Sequence, residues 1–411
     1  MTGWSDRKLH LIAIGGAGMS GLALVCHQLG ARVSGSDRSE SSYVARLRAM
    51  GLEPRIGHDA DAVPPDAEVV VSTAVHEDNP ELARARERGQ RVIHRGELLA
   101  EVCSGKRLVA VAGTHGKTTT AGMLAHMLRE TGADPAFFLG GELPATAAGE
   151  GAVNAGWGSG EWVVAEADES DASFLRLAPE VAVVTNVELD HHSKWASRAE
   201  LVEAFRSFCE PARGLALPAD GSLDALRAEQ EVAGFDVDRP GPPLELRVPG
   251  RHNLLDARAA LAALQLAGFE LERGAGALSS FPGMLRRLEP KGHRNGAAIY
   301  DDYAHHPTEV AAALAALREL RPRRLIAVFQ PHLYSRTRAL AGVSGLAVAR
   351  AAADHAGGRP VWWLVDARTA ERALGPRLRE DDLLVTLGAG DIYRLAEALV
   401  DASPNGEDEA R

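Results

Sequence analysis

The sequence predicts an α/β protein with three domains. Short apolar runs alternate with amphipathic helical stretches along most of the chain, which is typical of buried parallel strands joined by helices. The 411 residues suit roughly two to four domains of ordinary size, and three segments separate by pattern. Two glycine-rich turns each stand between a predicted strand and a predicted helix, which is where such sheets bind ligands.

The composition narrows the classes of function. Apolar residues make up 45% of the chain and charged residues 25%, which excludes a disordered chain, a collagen-like chain and a coiled-coil rod. There are 45 Lys and Arg against 56 Asp and Glu, so the formal net charge is -11. An acidic chain does not favour the nucleic-acid backbone, and we expect no nucleic-acid partner.

Hydropathy and cysteine spacing indicate a cytoplasmic location without a membrane partner. No apolar run approaches the roughly 20 residues that span a bilayer. The first short run, residues 9–14, leads into a glycine-rich turn rather than a signal-peptide cleavage site. Cys26, Cys103 and Cys209 are too far apart to indicate a disulfide framework or a zinc knuckle, which favours a reducing compartment.

The first domain is expected over residues 1–104, with strands at residues 9–14, 32–35 and 68–72 and a helix at residues 21–29. Gly16-Ala17-Gly18-Met19-Ser20-Gly21 follows the first strand, and Asp37 follows the second. This G-x-G-x-x-G pattern suggests a dinucleotide, and a sugar nucleotide with its pyrophosphate fits equally well. The alternative is a tight strand–helix turn that binds nothing.

The second domain, expected over residues 105–287, carries the strongest motif. Gly113-Thr114-His115-Gly116-Lys117-Thr118-Thr119 lies between a predicted strand at residues 107–112 and a predicted helix at residues 119–130. Such a loop brings backbone amides to phosphate oxygens, its lysine reaches the β- and γ-phosphates, and its threonine ligates Mg²⁺. Val111 stands where the strict phosphate-loop pattern has glycine, and the alternative is a turn with a surface lysine.

Polar segments follow the next two predicted strands, at residues 161–165 and 181–185. Glu166-Ala167-Asp168-Glu169-Ser170-Asp171 follows the first, where carboxylates can hold Mg²⁺ beside a phosphate loop, with a solvated acidic loop as the alternative. Residues 186–192 follow the second and end in two histidines, one of which could ligate a second cation. Residues 214–243 predict a loop-rich connector with one helix at residues 223–229, and a helix follows at residues 254–267.

The third domain is expected over residues 288–411, with strands at residues 297–300, 325–329, 361–365 and 383–386. Residues 301–309 and 330–338 are polar, rich in aromatic and histidine rings, and each follows a predicted strand. Loops in such places collect binding residues. Pro307 and Glu309 also suit the first turn of a helix, and both interpretations can hold together.

Together these motifs resemble the Mur ligase family, in its alanine-adding branch. The segments that match the family are residues 13–21, 113–119, 166–174, 190–191, 249–253, 286–287, 301–309 and 330–338. The resemblance covers nearly the whole chain. It implies an N-terminal Rossmann-like domain that binds a UDP-sugar, a central P-loop-type ATPase domain that is shortened, and a C-terminal Rossmann-like α/β domain that binds ATP and the amino acid.

The resemblance also implies a reaction. ATP would phosphorylate the lactyl carboxylate of UDP-N-acetylmuramate to an acyl phosphate, and the amine of L-alanine would then displace phosphate, in peptidoglycan precursor synthesis. The implied cofactors are ATP and two Mg²⁺ ions, because a carboxylate must approach a triphosphate of like charge. The implied partners are these small molecules alone, with the chain a monomer or a homodimer.

Individual residues acquire roles from the resemblance. The catalytic set would be Lys117, Glu166, His191, His332 and Arg336, with Thr118, Glu166 and His191 as metal ligands. The ATP-binding set would be Gly113, Thr114, His115, Gly116, Lys117, Thr118, Thr119, Asn253, Arg287 and Asp302. The sugar-nucleotide set would be Gly16, Ala17, Gly18, Met19, Ser20, Asp37, His58, Ser72, Ser170 and His305.

One departure from the family pattern opens alternatives. Leu333 stands where the family usually has arginine in the segment 330–338, which removes a cation beside the incoming amino acid. The same chemistry with glycine, serine or a peptide as acceptor is therefore a second hypothesis. A non-catalytic UDP-sugar-binding relative is a third. An NAD dehydrogenase is the weakest, because it leaves the second phosphate loop unexplained.

Overall fold

The computed structural model describes residues 3–145, 151–189, 194–331 and 345–401, and it confirms the predicted α/β class. The described strands form three sheets, of five, seven and four strands. The chain divides into two compact units, Met1–Arg247 with Asn253–Pro282, and Val248–His252 with Gly283–Arg411. The first unit holds the two larger sheets, and the second unit holds the four-stranded sheet.

Helices precede or follow most of the described strands, as the alternating pattern predicts. In chain order they are α1 (Ala17–Gln28), α2 (Ser42–Ala49), α3 (Pro80–Glu87), α4 (Arg95–Cys103), α5 (Lys117–Glu130), α6 (Arg198–Cys209), α7 (Arg251–Leu266), α8 (Leu271–Leu278), α9 (Pro307–Glu319), α10 (Gly345–Asp354), α11 (Ala367–Leu374) and α12 (Tyr393–Asp401). Side-chain caps begin several of them; Asn79, for example, accepts hydrogen bonds from two amides of α3.

The first sheet is wholly parallel, in the order β3-β2-β1-β4-β5. Its strands are β1 (Lys8–Ile12), β2 (Arg32–Asp37), β3 (Arg55–Ile56), β4 (Glu68–Val71) and β5 (Val92–His94). The chain reverses its direction of winding at the central strand β1, and the first glycine-rich turn follows β1 there. Such a switch point leaves a crevice at the carboxyl ends of the strands, where doubly wound sheets bind ligands.

The second sheet has the order β12-β11-β10-β6-β9-β7-β8, and its described strands pair in parallel except β7 with β8, which are antiparallel. Its strands are β6 (Arg107–Ala112), β7 (Ala136–Leu143), β8 (Val153–Gly156), β9 (Trp162–Glu166), β10 (Val181–Val184), β11 (Gly214–Pro218) and β12 (Glu231–Phe235). The central strand β6 lies between β9 and β10. The segments that leave these three strands therefore meet at one edge of the sheet.

The first two sheets share one apolar core. A single cluster of buried side chains runs from Leu9 and Leu11 in the first sheet to Phe174 and Phe205 beside the second. At the junction, a side chain on Gly21 of α1 would stand 2.9 Å from Cβ of Ala155 in β8, so glycine permits the close approach. The beginning of α1 is thereby packed against the second sheet.

The third sheet has the order β13-β14-β16-β15, with β13–β14 antiparallel and the other pairs parallel. Its strands are β13 (Glu289–Arg294), β14 (Ala297–Asp302), β15 (Arg324–Phe329) and β16 (Asp382–Leu387). Helix α9 covers the face that carries Leu383 and Val385, and α11 and α12 cover the face that carries Leu384. Both faces of the sheet are therefore packed.

Two elements predicted from the sequence are wrong. Residues 361–365 form no strand, because β15 and β16 pair directly and Trp362 and Trp363 stay about half exposed. Residues 214–243 are not a loop-rich connector, because they contain β11 and β12, and the helix predicted at residues 223–229 is only the short 3-10 turn Asp224–Leu226. Across the residues that the structure describes, no helix has both the length and the apolar character that crossing a membrane requires.

Candidate functional site

The site in the first unit is built around the loop between β6 and α5. Strand β6 is almost wholly buried, and Gly116 precedes α5 with a φ of 82°, in the left-handed region. A side chain on Gly116 would stand 2.4 Å from Oδ1 of Asp256 in α7, and one on Gly113 would stand 2.1 Å from Oγ1 of Thr185. Both glycines are therefore required by close approach, and the loop wraps as a phosphate cradle does.

The segment after β10 holds this loop in shape. The Asn186 side chain accepts a hydrogen bond from the backbone amide of His115 at 2.9 Å and donates one to the His115 carbonyl at 3.0 Å. The Glu188 amide donates to the Thr114 hydroxyl at 2.9 Å, and that hydroxyl donates to the Glu188 carbonyl at 3.0 Å. The loop is thus fixed by four hydrogen bonds from a neighbouring strand end.

The ammonium group of Lys117 is buried at the centre of the site. It donates hydrogen bonds to the carbonyls of Gly113 and Thr114 and, at 2.8 Å, to the carboxylate of Glu169. Burial alone would lower the pKa of Lys117, but the negative charges of Glu169, Glu166 and Asp168 outweigh it and raise that pKa. Lys117 therefore stays charged at neutral pH.

Glu166 ends β9 beside the loop, where the sequence places it. Its Oε2 accepts a hydrogen bond from the Gly140 amide at 2.7 Å, and a side chain on Gly140 would stand 2.6 Å from both carboxylate oxygens. Val111 at the end of β6 pairs with Glu166 in the sheet, so this carboxylate flanks the phosphate loop. Thr118 lies in the first turn of α5, directly after the loop.

This donor set fits Mg²⁺ bound to a polyphosphate. A carboxylate and a hydroxyl oxygen are hard ligands, and a magnesium site needs only one or two protein carboxylates beside phosphate oxygens. The first turn of α5, which includes Thr118 and Thr119, has amides without helical partners, and these attract an anion. Asn253 lies in α7 one turn before Asp256, the residue that touches Gly116, so it shares that helix face.

The first glycine-rich turn joins β1 to α1. Gly16 precedes α1, which starts at Ala17 and includes Gly18, Met19 and Ser20 in its first turns. Helix α1 therefore starts at Ala17, earlier than the helix that the sequence predicted at residues 21–29.

Asp37 lies beside this turn at the end of β2, and its carboxylate accepts a hydrogen bond from the Gly15 amide at 2.9 Å. Ser72 directly follows β4, at the same edge of the sheet. The predicted sugar-nucleotide residues of the first domain therefore lie along the carboxyl ends of one sheet.

His58 belongs to a buried polar network that the sequence did not reveal. Its Nδ1 lies 2.9 Å from the Ser36 hydroxyl, which donates to Glu81 at 2.6 Å. Glu81 is fully buried, accepts from the Asp59 amide at 3.1 Å, and lies 3.3 Å from the ring of His10. Burial alone would raise the pKa of Glu81, but these hydrogen bonds outweigh it and hold that pKa below its usual value.

The second unit brings Arg287, Asp302 and His305 together at the end of β14. The buried Asp302 accepts hydrogen bonds from the amides of Leu288 and Ala304, both at 2.7 Å. Burial raises the pKa of Asp302 to about 6, although Arg287 opposes the shift.

Aromatic and acidic neighbours fix the other two side chains. The Arg287 guanidinium lies 5.1 Å from the centre of the Tyr303 ring, a cation–π distance. Nδ1 of His305 lies 3.4 Å from a carboxylate oxygen of Glu309. Glu309 also completes the cap of α9, so the segment is both a helix start and a cluster of polar side chains, as the sequence allowed.

Three predicted site residues, His191, His332 and Arg336, lie outside the described residues, as does Leu333. Ser170 lies in the acidic segment, where its amide donates to Asp168 at 2.9 Å. Sequence reasoning missed four side chains that organise the site: Arg95, Asn154, Glu81 and Asp256. Their roles rest on contacts with residues distant in the chain. Only Glu81 carries a local signal, the Asn79-Pro80 start of a helix.

Comparison with known proteins finds family matches and similar proteins that together span nearly the whole chain. Three family descriptions match it: "Mur ligase family, catalytic domain" over residues 8–107, "Mur ligase middle domain" over residues 111–237, and "Mur ligase, glutamate ligase domain" over residues 286–390. A UDP-N-acetylmuramate--L-alanine ligase of Symbiobacterium thermophilum is 42% identical, with 96% of this chain and 94% of that protein covered. One of Streptomyces coelicolor is 40% identical, with 96% and 97% covered.

Solved structures agree with these matches. The UDP-N-acetylmuramate-alanine ligase of Thermotoga maritima superposes with a TM-score of 0.84 at 28% identity, covering 96% of this chain and 99% of that one. A murein peptide ligase of Psychrobacter arcticus shares the fold, with a TM-score of 0.72 at 22% identity and coverage of 96% and 98%. The alignment with the Symbiobacterium protein spans 462 residues, so this 411-residue chain lacks segments of that relative.

The left-handed backbone at Gly116 predicts the effect of a side chain there. Gly116→Ala is expected to weaken Mg–ATP binding by about tenfold or more, because that conformation costs an L-residue about 1–2 kcal/mol and the new Cβ would meet Asp256. Titration calorimetry with a non-hydrolysable ATP analogue measures it. Gly276→Ala in α8, where no atom lies within 4 Å, is the matched control and should bind normally. Equal affinities in both variants would contradict the cradle.

The buried network around Glu81 predicts a pH-dependent stability. The folded-state pKa of Glu81 is lowered, so its contribution is present above the unfolded pKa of about 4.3 and is lost as the pH falls through the folded pKa. Glu81→Gln should therefore lower the melting temperature most near neutral pH, and the difference should shrink in acid. Thermal melts across that range test this. Glu87→Gln, at the exposed end of α3, should change little. A difference independent of pH would contradict the assignment.

Proposed function

The chain belongs to the Mur ligase family, and from that premise we propose that it is an ATP-dependent ligase that joins L-alanine to the lactyl carboxylate of UDP-N-acetylmuramate. Relatives about 40% identical over nearly the whole chain carry that activity in their names. The observation that carries the proposal is the buried Lys117, set between the phosphate loop and the acidic segment after β9. This places the chain in peptidoglycan precursor synthesis.

Phosphoryl transfer is the first step in this proposal. An oxygen of the lactyl carboxylate forms a bond to the γ-phosphorus of ATP, the bond from that phosphorus to the β–γ bridging oxygen breaks, and ADP leaves. Lys117 and the amides that begin α5 would hold the phosphoryl oxygens and balance their charge. The lysine would exchange one of its present hydrogen-bond partners for a phosphate oxygen.

Amide formation is the second step. The amine nitrogen of L-alanine bonds to the carbonyl carbon of the acyl phosphate, the bond from that carbon to the phosphate oxygen breaks, and phosphate leaves as the nitrogen loses its proton to water. Holding the reactants in the right geometry would account for much of the rate enhancement, since both steps join bound reactants. His332 and Arg336 are proposed to hold the amino-acid carboxylate and the phosphate.

Thr118 and Glu166 are proposed to hold one Mg²⁺, and His191 a second. Bound magnesium supplies positive charge that lets a carboxylate approach a triphosphate. Asn253, Arg287 and Asp302 are proposed as further ATP-contacting residues. The hydrogen bond from the Gly140 amide would orient Glu166 for this role.

The sugar nucleotide is proposed to bind at the first glycine-rich turn. Gly16 to Ser20 would face its pyrophosphate, and Asp37, His58 and Ser72 line the same edge of the first sheet. Ser170 and His305 are proposed as further contacts. Glu81 would act through His58, because it fixes the segment on which His58 lies.

We propose three functional segments for the chain: residues 1–104 for the UDP-sugar, residues 105–287 for ATP, and residues 288–411 for ATP and the amino acid. The partners are these small molecules, the location is the cytoplasm, and the chain acts as a monomer or a homodimer. Because Leu333 stands where the family usually has arginine, a cation beside the incoming amino acid is missing. Glycine, serine or a peptide therefore remains the alternative acceptor.

Phosphate release tests the activity and the acceptor together. With ATP, Mg²⁺ and UDP-N-acetylmuramate present, release should require an amino acid, and kcat/KM should be highest for L-alanine in a panel that includes glycine and L-serine. Preference for another member would contradict L-alanine as the acceptor. If no amino acid of the panel supports phosphate release, although the protein binds the sugar nucleotide, the non-catalytic relative would be favoured.

A lysine substitution tests the phosphate loop directly. Lys117→Ala should lower kcat at least about a hundredfold, the usual loss when one charge-stabilising donor is removed. Lys106→Ala is the matched control, because Lys106 precedes the opposite end of β6 and contacts Trp157 instead of the loop. The control should keep normal kcat. Normal turnover in Lys117→Ala would contradict the assigned site.

A further inference from the structure

Arg95 lies between the first glycine-rich turn and the acidic segment after β9. It is the first residue of α4, directly after the edge strand β5, and its side chain is 19% exposed. Its guanidinium therefore has little access to solvent and must be satisfied by protein partners. The partners belong to segments more than 70 residues away in the chain.

The first set of partners is the acidic segment after β9. One terminal nitrogen, Nη2, donates to Oδ2 of Asp168 and to Oδ2 of Asp171, both at 2.8 Å. The other carboxylate oxygens accept from the loop's own backbone, Asp168 from the Ser170 amide and Asp171 from the Ser173 amide, both at 2.9 Å. Each aspartate therefore accepts a hydrogen bond from its own loop with one carboxylate oxygen and from Arg95 with the other.

Close packing supports these ion pairs. A side chain on Gly96, the residue after Arg95, would stand 2.5 Å from Cβ of Ser173. Ala172, between the two turns, has a φ of 61°, a conformation that an alanine adopts only when its surroundings impose it. The start of α4 therefore fixes the path of the acidic segment.

Arg95 also touches the first glycine-rich turn. A side chain on Gly18 would lie 3.3 Å from its other terminal nitrogen, Nη1, which therefore lies against the first turn of α1. A cation here faces the place where the sugar nucleotide is proposed to put its phosphates. One guanidinium thus contacts the first glycine-rich turn with one nitrogen and the acidic segment with the other.

The acidic segment extends the contact to Lys117. Glu169 follows Asp168 and bonds to the Lys117 ammonium at 2.8 Å. Asp168, which contacts Arg95, and Glu169, which contacts Lys117, are therefore consecutive residues of one segment that links the two cations.

We propose that Arg95 is a positioning residue that couples sugar-nucleotide binding at the first glycine-rich turn to Mg–ATP binding at the phosphate loop. The inference rests on the proposed function. Both ligands need the Arg95 side chain in one place, so the first to bind fixes it and the second binds more tightly. The coupling is reciprocal, since linkage requires each ligand to change the other's affinity by the same factor.

Calorimetric titration of the full chain measures the coupling. Saturating UDP-N-acetylmuramate should tighten binding of a non-hydrolysable ATP analogue with Mg²⁺ by at least about fivefold, within the ordinary range of such couplings. In Arg95→Ala the factor should fall to about one. Arg7→Ala is the matched control, because Arg7 also bridges two carboxylates and is similarly buried, yet it touches neither site. The control should retain the wild-type factor.

Three results would overturn the role of Arg95: wild-type protein that binds both ligands without coupling, coupling retained in Arg95→Ala, or coupling equally lost in Arg7→Ala. If Arg95→Ala does not fold, Asp171→Asn decides, because it removes one charge and keeps the shape. Reduced coupling there supports the role, and unchanged coupling contradicts it. Wild-type protein that binds Mg–ATP but no UDP-N-acetylmuramate would contradict the proposed function itself.

Discussion

The buried ammonium group of Lys117 is the interaction on which the second sheet's functional edge depends. A charge in that position needs partners, and the chain supplies them from two directions: carbonyls of its own loop and the carboxylate of Glu169. The loop can hold that shape because Asn186 and Glu188 bind it from the neighbouring strand. Segments that follow three adjacent strands, β9, β6 and β10, thus hold Lys117 and its loop in place.

The same edge is tied to the first sheet. The shared apolar core and the small residues of α1 bring the sheets together. Asn154 of β8 donates to the Ala17 carbonyl at 2.7 Å, and Arg95 holds Asp168 and Asp171. Contacts between the two sheets therefore connect the first glycine-rich turn to the acidic segment beside the phosphate loop.

Sequence reasoning predicted the parts of the site that local pattern encodes. The phosphate loop, Glu166 after its strand, Asp37 and the α9 start all follow from residue type and spacing. Arg95 and Asp256 could not be found in this way, and for Glu81 the local pattern gives only a place at a helix start, because each acts through partners brought close only by folding. Strands β11 and β12 were missed because glycine, proline and aspartate dominate their surroundings. The prediction of a strand at residues 361–365 was wrong because it took an apolar run as evidence of burial, whereas these side chains are largely exposed.

The central claim is that this edge of the sheet activates a carboxylate by transferring a phosphoryl group to it. The most direct measurement uses UDP-N-acetylmuramate labelled with oxygen-18 in its lactyl carboxylate, followed by mass analysis of the phosphate released during amide formation. The account predicts one labelled oxygen in each phosphate, because the bond between carboxylate oxygen and phosphorus persists when the amine displaces it. Unlabelled phosphate accompanying amide product would contradict it.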